Sequence, residues 1–263
     1  METVKDQLSD FLEEFWYAPQ DALLRAFEAD LWQNERLESL VLDIGCGDGR
    51  ISNRLFKDKN LDIGVELEHR LAKQAERCGI YTYTLVTDAK QLSFKNESLQ
   101  TIISNSTFEH IDKDKAAIRE VTRVLTKGGT FIFTVPTADF KKALRKLVNN
   151  QERFNVLNLR LRHFHFRTLK DWKVILKSSG LKIERFKEYF PSELVLPWLR
   201  LLSVAIWKPY RRELWSYLKD SPYGKYVPAK YIHWLIMRYL NSYLSRDLKG
   251  TNCFILIRAR KPK

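Results

Sequence analysis

Cysteine is scarce. Three residues, Cys46, Cys78 and Cys253, lie far apart in a chain of 263. That odd, scattered set offers no disulfide framework and no metal-ligand spacing, and it fits a reducing cytosol. Long hydrophobic runs are missing too. With no stretch of about 18 uncharged apolar residues, a membrane-spanning helix is not expected. The first residues carry Glu2, Asp6, Asp10, Glu13 and Glu14, with neither a basic start nor an apolar segment behind it. A secretory signal is therefore not expected, and the expected location is cytoplasmic. No internal repeat or low-complexity tract is seen.

Acidic residues run short toward the end of the chain. Residues 1–35 hold nine acids and two bases, and residues 36–136 hold fourteen acids and fifteen bases. Residues 137–263 hold nine acids against twenty-eight bases, so the formal charge of +13 belongs to the back half. A positive field of that kind attracts phosphates on lipids, nucleic acid or small substrates. Hydrophobic residues at 44% are enough for a sizeable core.

Periodicity divides the chain. Val4, Leu8, Phe11, Leu12, Phe15 and Trp16 repeat at helical spacing up to Pro19, and Leu23, Leu24, Phe27, Leu31 and Trp32 continue on a second helix. Short apolar runs at 40–44, 61–65, 83–86, 101–104 and 130–135 then alternate with helical patterns. Asp112 is placed to cap the helix that carries Ala116, Ala117, Val121, Val124 and Leu125. Such alternation predicts a parallel sheet with helices on both faces. After Pro136 a basic helix leads into the polar Asn149-Asn150-Gln151, and Thr168 with Asp171 opens another helix in a capping box. Residues 181–186 and 252–258 read as sixth and seventh strands, about sixty residues apart.

The most informative stretch is Val41-Leu42-Asp43-Ile44-Gly45-Cys46-Gly47-Asp48-Gly49. A strand enters glycines and a helix follows, so a ligand can approach the backbone and meet free N–H groups. A carboxylate before the loop repels a pyrophosphate and suits a cationic group. Glu66 ends the next strand, where ribose hydroxyls are bound in nucleotide-binding α/β folds, and Asp88-Ala89 follows the third strand. Three acids at successive strand ends line one crevice.

These residues resemble the class I S-adenosylmethionine-dependent methyltransferases, and among them the methyltransferase type 11 group. The matching segments are VLDIGCGDG at 41–49, IGVELE at 63–68, TDAKQLSF at 87–94, SLQTIISNSTFEHI at 98–111 and VTRVLTKGGTFIFTVPT at 121–137. The resemblance implies a Rossmann-like seven-stranded sheet in the order 3-2-1-4-5-7-6, the last strand antiparallel, and S-adenosylmethionine as cofactor. It implies that Asp43 and the Gly45-Cys46-Gly47 loop hold the methionine moiety, Glu66 the ribose and Asp88-Ala89 the adenine. Asn105 would lie near the sulfonium. Gln100 departs from the group, which often has Asp there.

Methyl transfer to oxygen needs a base, and histidine is the usual one near neutral pH. His110, and the pair His163 and His165, are the candidates for catalysis, each with an ordinary packing or surface role as its alternative. An i, i+2 pair shares a face in an extended chain. It could bind a metal, but no third ligand is evident, and no metal is expected. His233 reads as structural or interfacial.

Residues 187–250 hold four of seven tryptophans and eight of eleven tyrosines, with eleven bases against five acids. They read as a packed lid or dimer interface, or as an interfacial element with aromatic anchors and bases for anionic lipid. The domains expected are an N-terminal helical cover (1–36), a methyltransferase core (37–186), a basic aromatic helical lid (187–250) and a final core strand with its tail (251–263). The function expected is methyl transfer, at oxygen, to a small or amphipathic acceptor such as a lipid, a quinone or a lipid-linked sugar. Peripheral contact with an anionic membrane is an added option. An RNA methyltransferase and a non-catalytic S-adenosylmethionine-binding protein are the alternatives. Asn105-Ser106-Thr107 lacks the [DN]-P-P-[YF] pattern of amino-directed nucleic-acid enzymes, which makes nucleic acid the less expected partner.

Overall fold

The computed structural model describes residues 3–57, 59–209, 211–220 and 226–263. Of the aromatic segment, residue 210 and residues 221–225 lie outside the described residues. The chain forms two compact units: Glu35–Tyr189 with Cys253–Lys263, and Met1–Asn34 with Phe190–Asn252.

The larger unit is built on a seven-stranded sheet of order β3-β2-β1-β4-β5-β7-β6. Its strands are β1 (Val41–Ile44), β2 (Leu61–Glu66), β3 (Tyr81–Val86), β4 (Leu99–Asn105), β5 (Leu125–Pro136), β6 (Lys182–Pro191) and β7 (Asn252–Arg260). Strands β1 to β5 pair in parallel, and β7 runs antiparallel to β5. The expected Rossmann-like order is therefore present. All four residues of β1 are buried, as a central parallel strand covered on both faces requires. The register sets Ile44 beside Val65, Glu66 beside Val86 and Asn105 beside Thr134, so the strands end together at one carboxyl edge.

The sheet is flanked by α3 (Arg50–Leu55), α4 (His69–Cys78), α5 (Asp114–Val124), α6 (Ala138–Val148), α7 (Gln151–Leu161) and α8 (Leu169–Ser178). The core on the α5–α8 side is aromatic. Phe131 and Phe133 stack at 4.5 Å, and Trp172 meets Phe133 edge-on at 5.0 Å. The Thr168–Asp171 capping box forms as the sequence predicts. Asp112 does not cap α5, which starts two residues later without a side-chain cap. Its carboxylate pairs instead with Lys90 at 3.1 Å. Helix α7 follows the polar Asn149-Asn150-Gln151; Asn150 caps it through the Arg153 N–H, and Phe154 is its one buried residue. Glu35 is buried and holds Arg185 of β6 at 2.7 Å and Arg258 of β7 at 2.9 Å.

The smaller unit packs α1 (Val4–Phe15) on α2 (Pro19–Gln33) and on α11 (Ala229–Leu244), and α2 on α9 (Val195–Ala205), with the short α10 (Leu214–Asp220) after α9. Thr3 and Asp6 cap α1 reciprocally, and Pro19 opens α2 at its first turn. His233 bonds Ser9 at 3.1 Å. Trp198 is buried, whereas Trp207 is 60% and Trp234 50% exposed. No helix among the described residues is long and apolar enough to cross a membrane.

Candidate active site

The glycine loop starts where β1 ends. Gly45 has φ +74°, and a Cβ there would lie 2.3 Å from the Thr107 side chain, so this glycine lets the loop after β4 press against the loop after β1. Gly47 has φ +57°, and a Cβ there would meet nothing within 4 Å. The two glycines thus do different work. The first is needed for close approach, and the second turns bare backbone toward open space, which suits a ligand laid on the loop.

Asp43 is 2% exposed. Its Oδ2 accepts hydrogen bonds from Ser52 Oγ at 2.7 Å and Tyr81 Oη at 2.6 Å. Burial pushes its carboxyl up to about 6, against the pull of those two hydroxyls. Burial and the nearby carboxylates of Asp43 and Glu66 push the Cys46 thiol far up, so it stays protonated. Glu66 reaches back from the end of β2. Its Oε2 accepts from the Gly47 N–H at 3.0 Å, and its Oε1 accepts from Leu67 at 2.8 Å and Glu68 at 3.1 Å. Asp88 accepts the Lys90 N–H at 2.8 Å, and Ala89 packs against the core. Asn105 Oδ1 accepts from Thr134 Oγ1 on β5.

The open backbone at Gly47 and the carboxylate series fit a nucleoside with a cationic substituent. Asp43 and Glu66 stand at or near the ends of β1 and β2, Asp88 follows β3 and Asn105 ends β4, with the Gly45-Cys46-Gly47 loop beside them. Ser52 and Tyr81 are supports that the sequence did not disclose. Tyr81 lies 38 positions from its partner Asp43, with no local pattern to connect them.

The histidines lie after β4 and before α8. Phe108, 1% exposed, is wedged against Phe131 at 5.3 Å and Phe133 at 5.8 Å, and it anchors a single turn of 3₁₀ helix, Phe108–His110. The Phe164 N–H donates to the Glu109 carbonyl at 2.8 Å and draws residues 162–165 alongside that turn. Spacing at i, i+2 then turns His163 and His165 to the same segment, with Phe164 exposed between them. They meet different partners. The His163 and His110 rings are 5.0 Å apart. His165 Nε2 bonds the Asp112 carbonyl at 3.0 Å and lies 3.5 Å from Asp114, which Arg167 grips at 2.6–3.0 Å. His165 is thus committed to a polar network beside the cluster.

His110 Nδ1 lies 3.2 Å from the Arg162 carbonyl. A carbonyl only accepts, so Nδ1 carries the proton in neutral imidazole and Nε2 holds the lone pair. That Nε2 is 4.0 Å from Glu109 Oε1. Burial first, and His110 second, lower His163 to about 3, so it stays neutral across the physiological range.

Residues 42–133 match the family model described as a methyltransferase domain. An uncharacterized protein of Methanocaldococcus jannaschii is 34% identical over 131 residues, covering 49% of this chain and 60% of that protein. A malonyl-[acyl-carrier protein] O-methyltransferase of Enterobacter lignolyticus is 28% identical over 107 residues, covering 40% of this chain and 42% of the enzyme. The chain thus spans less than two thirds of the length of these curated relatives. An S-adenosylmethionine-dependent methyltransferase of Thermotoga maritima superposes with a TM-score of 0.57 at 20% identity, over 98% of this chain and 97% of that one, a likeness of fold. With the strand order, the open glycine loop and the carboxylate series, these matches make residues 42–133 a methyltransferase domain of the class I, S-adenosylmethionine-dependent fold.

Proposed function

We propose that this chain transfers a methyl group from S-adenosylmethionine to an oxygen of a small or amphipathic acceptor. The observation that carries the reading is the Gly47 backbone, open to a ligand and flanked by Asp43, Glu66 and Asp88. Bound there, the cofactor supplies an electrophilic methyl group on a sulfonium. Glu66 exchanges its bond to the Gly47 N–H for ribose hydroxyls, and Asp43 supplies negative charge beneath the methionine end. Thr107, pressed on Gly45, and His110 three residues later belong to one loop, which brings Glu109, His110 and His163 to the acceptor side. The acceptor oxygen is aligned there and its proton is removed there.

Oxygen as the target is supported by the partial match to enzymes that methylate the malonyl group of an acyl-carrier protein at oxygen. An amphipathic acceptor is supported by the smaller unit. Trp207, Tyr231 and Trp234 are exposed there, Tyr231 stacks on Trp234 at 5.8 Å, and Arg238 lies 5.4 Å from the Trp234 ring centre. Exposed aromatic rings beside bases suit the surface of an anionic membrane.

The test is incubation of the protein with methyl-labelled S-adenosylmethionine and separate lipid, polar-metabolite and RNA fractions. Label in an ester or ether of a lipid or small acid is the expected result. Label only in RNA favours an RNA methyltransferase, and label nowhere, with the cofactor bound, favours a binding protein.

A further inference from the structure

We propose that Glu109, His110 and His163 form a binding site for one divalent transition-metal cation, with zinc the best match. One ligand atom from each of the three lies within 4.8 Å of the other two. Zinc binds imidazole nitrogen and carboxylate oxygen at about 2.0–2.2 Å, which sets two ligands of one ion roughly 3–4 Å apart. Small side-chain rotations therefore close the site around an ion.

The surroundings are those of a ligand set. His110 Nδ1–H donates to the Arg162 carbonyl, and this leaves Nε2 as the coordinating atom and fixes the ring's direction. Glu109 is 3% exposed, so its charge is held inside the fold. The Nδ1 of His163 is buried and has no hydrogen-bond partner among the described residues. The His163 ring is walled by Phe166 at 5.3 Å and Phe140 at 6.2 Å, which keep water from one side. The backbone bond from Phe164 to Glu109 ties the two halves of the site together.

Two imidazoles and one carboxylate select against magnesium and calcium, which prefer all-oxygen sets, and favour zinc and its neighbours. Three protein ligands leave a fourth position for water or for an acceptor oxygen, the arrangement of catalytic rather than structural zinc. His110, at 41% side-chain exposure, is the side from which such a molecule enters. Use of the ion in methyl transfer rests on the proposed acceptor reading, whereas the ion site itself does not.

The experiment is calorimetric titration of the full chain, stripped with chelator and dialysed, with zinc chloride in the absence of cofactor and acceptor. One equivalent is expected, with magnesium and calcium chloride binding at least about 100-fold more weakly. Glu109→Gln, His110→Ala and His163→Ala each weaken zinc by about 100-fold or more, and His69→Ala, on α4, leaves it unchanged. Since His163 is partly buried, circular dichroism accompanies each variant. The exposed His110 gives a reading free of misfolding, through loss of the visible bands of cobalt(II) bound in place of zinc. No saturable zinc binding, or binding that His110→Ala and His163→Ala leave unchanged, overturns the site. Magnesium bound as tightly as zinc overturns the choice of ion. Methyl transfer without zinc binding removes this inference alone, and zinc binding without methyl transfer to any acceptor removes the proposed activity alone.

Discussion

The proposed cofactor half of the larger unit, after β1 to β3, and the proposed acceptor half, after β4, are built differently. At the ends of β1, β2 and β3, each carboxylate has hydrogen bonds from nearby backbone or hydroxyl groups: Asp43 from Ser52 and Tyr81, Glu66 from Gly47, Leu67 and Glu68, Asp88 from Lys90. Beyond β4, Glu109, His110 and His163 are brought together by one wedged phenylalanine and one backbone bond between distant loops. In the first half every one of these carboxylates is held by hydrogen bonds. The second presents lone pairs and charge within reach of one another, ready for an acceptor or an ion. The proposed function assigns binding and chemistry to separate residues, which mutation can separate.

The largest effect is expected on the acceptor side. His110→Ala should lower kcat by about 10²–10⁴-fold and leave S-adenosylmethionine affinity within about twofold, measured by turnover and calorimetry. Equal losses in both would erase the division between the halves.

Asp43 gives the next effect, through pH. Its carboxyl is raised from 3.8 to about 6, so the folded state favours the protonated form. The stability contributed by that preference is fully present below pH 3.8 and is lost as pH rises through 6, and it amounts to about 3 kcal/mol. Cofactor affinity runs the other way, since the positive charge is attracted only by the ionised form. Affinity should rise with pH by up to about tenfold per unit below 6 and level off above it. Asp43→Asn, followed by denaturant melts and calorimetry from pH 4.5 to 7.5, should flatten both curves.

Glu66→Ala should weaken S-adenosylmethionine by roughly 1–3 kcal/mol through lost charged hydrogen bonds, with kcat at saturating cofactor nearly unchanged. Tighter binding of NAD than of S-adenosylmethionine by the wild type would overturn the cofactor half as described. The smallest effect sharpens the contrast within the glycine loop. Gly47→Ala should cost about 1–2 kcal/mol of stability for its left-handed backbone, because nothing lies in the way of the methyl group. Gly45→Ala should cost clearly more, because Thr107 must also move. Denaturant midpoints of the two variants decide it.

Much of the cofactor half was legible in the sequence, because its residues are contiguous or fall at strand ends that periodicity locates. Asp43, Gly45, Cys46 and Gly47 are one loop, and Glu66 ends the next apolar run. The sheet order followed from resemblance and not from periodicity. The acceptor half was legible only in part. His110, His163 and His165 stood out as residue types, yet nothing local told which two would meet. Spacing paired His163 with His165, whereas in the fold His163 meets His110 and Glu109, and His165 turns to Asp112 and Asp114. Asp112 looked like a cap because of its position before a helix, and Lys90, across the sequence, won its carboxylate. Glu35 showed no sign of its role, since Arg185 and Arg258 reach it only in the folded sheet.

His110 and the carbonyl of Arg162 that orients it are 52 positions apart. Closing a chain loop of that length costs about 3–4 kcal/mol of entropy before any contact there gives a return. Strands β1 to β3 pair over much shorter separations, but β4 joins β1 with Val41 beside Thr101, across a span at least as long as this junction. Assembly of the His110–His163 cluster thus reports that the chain from β4 to α8 has closed.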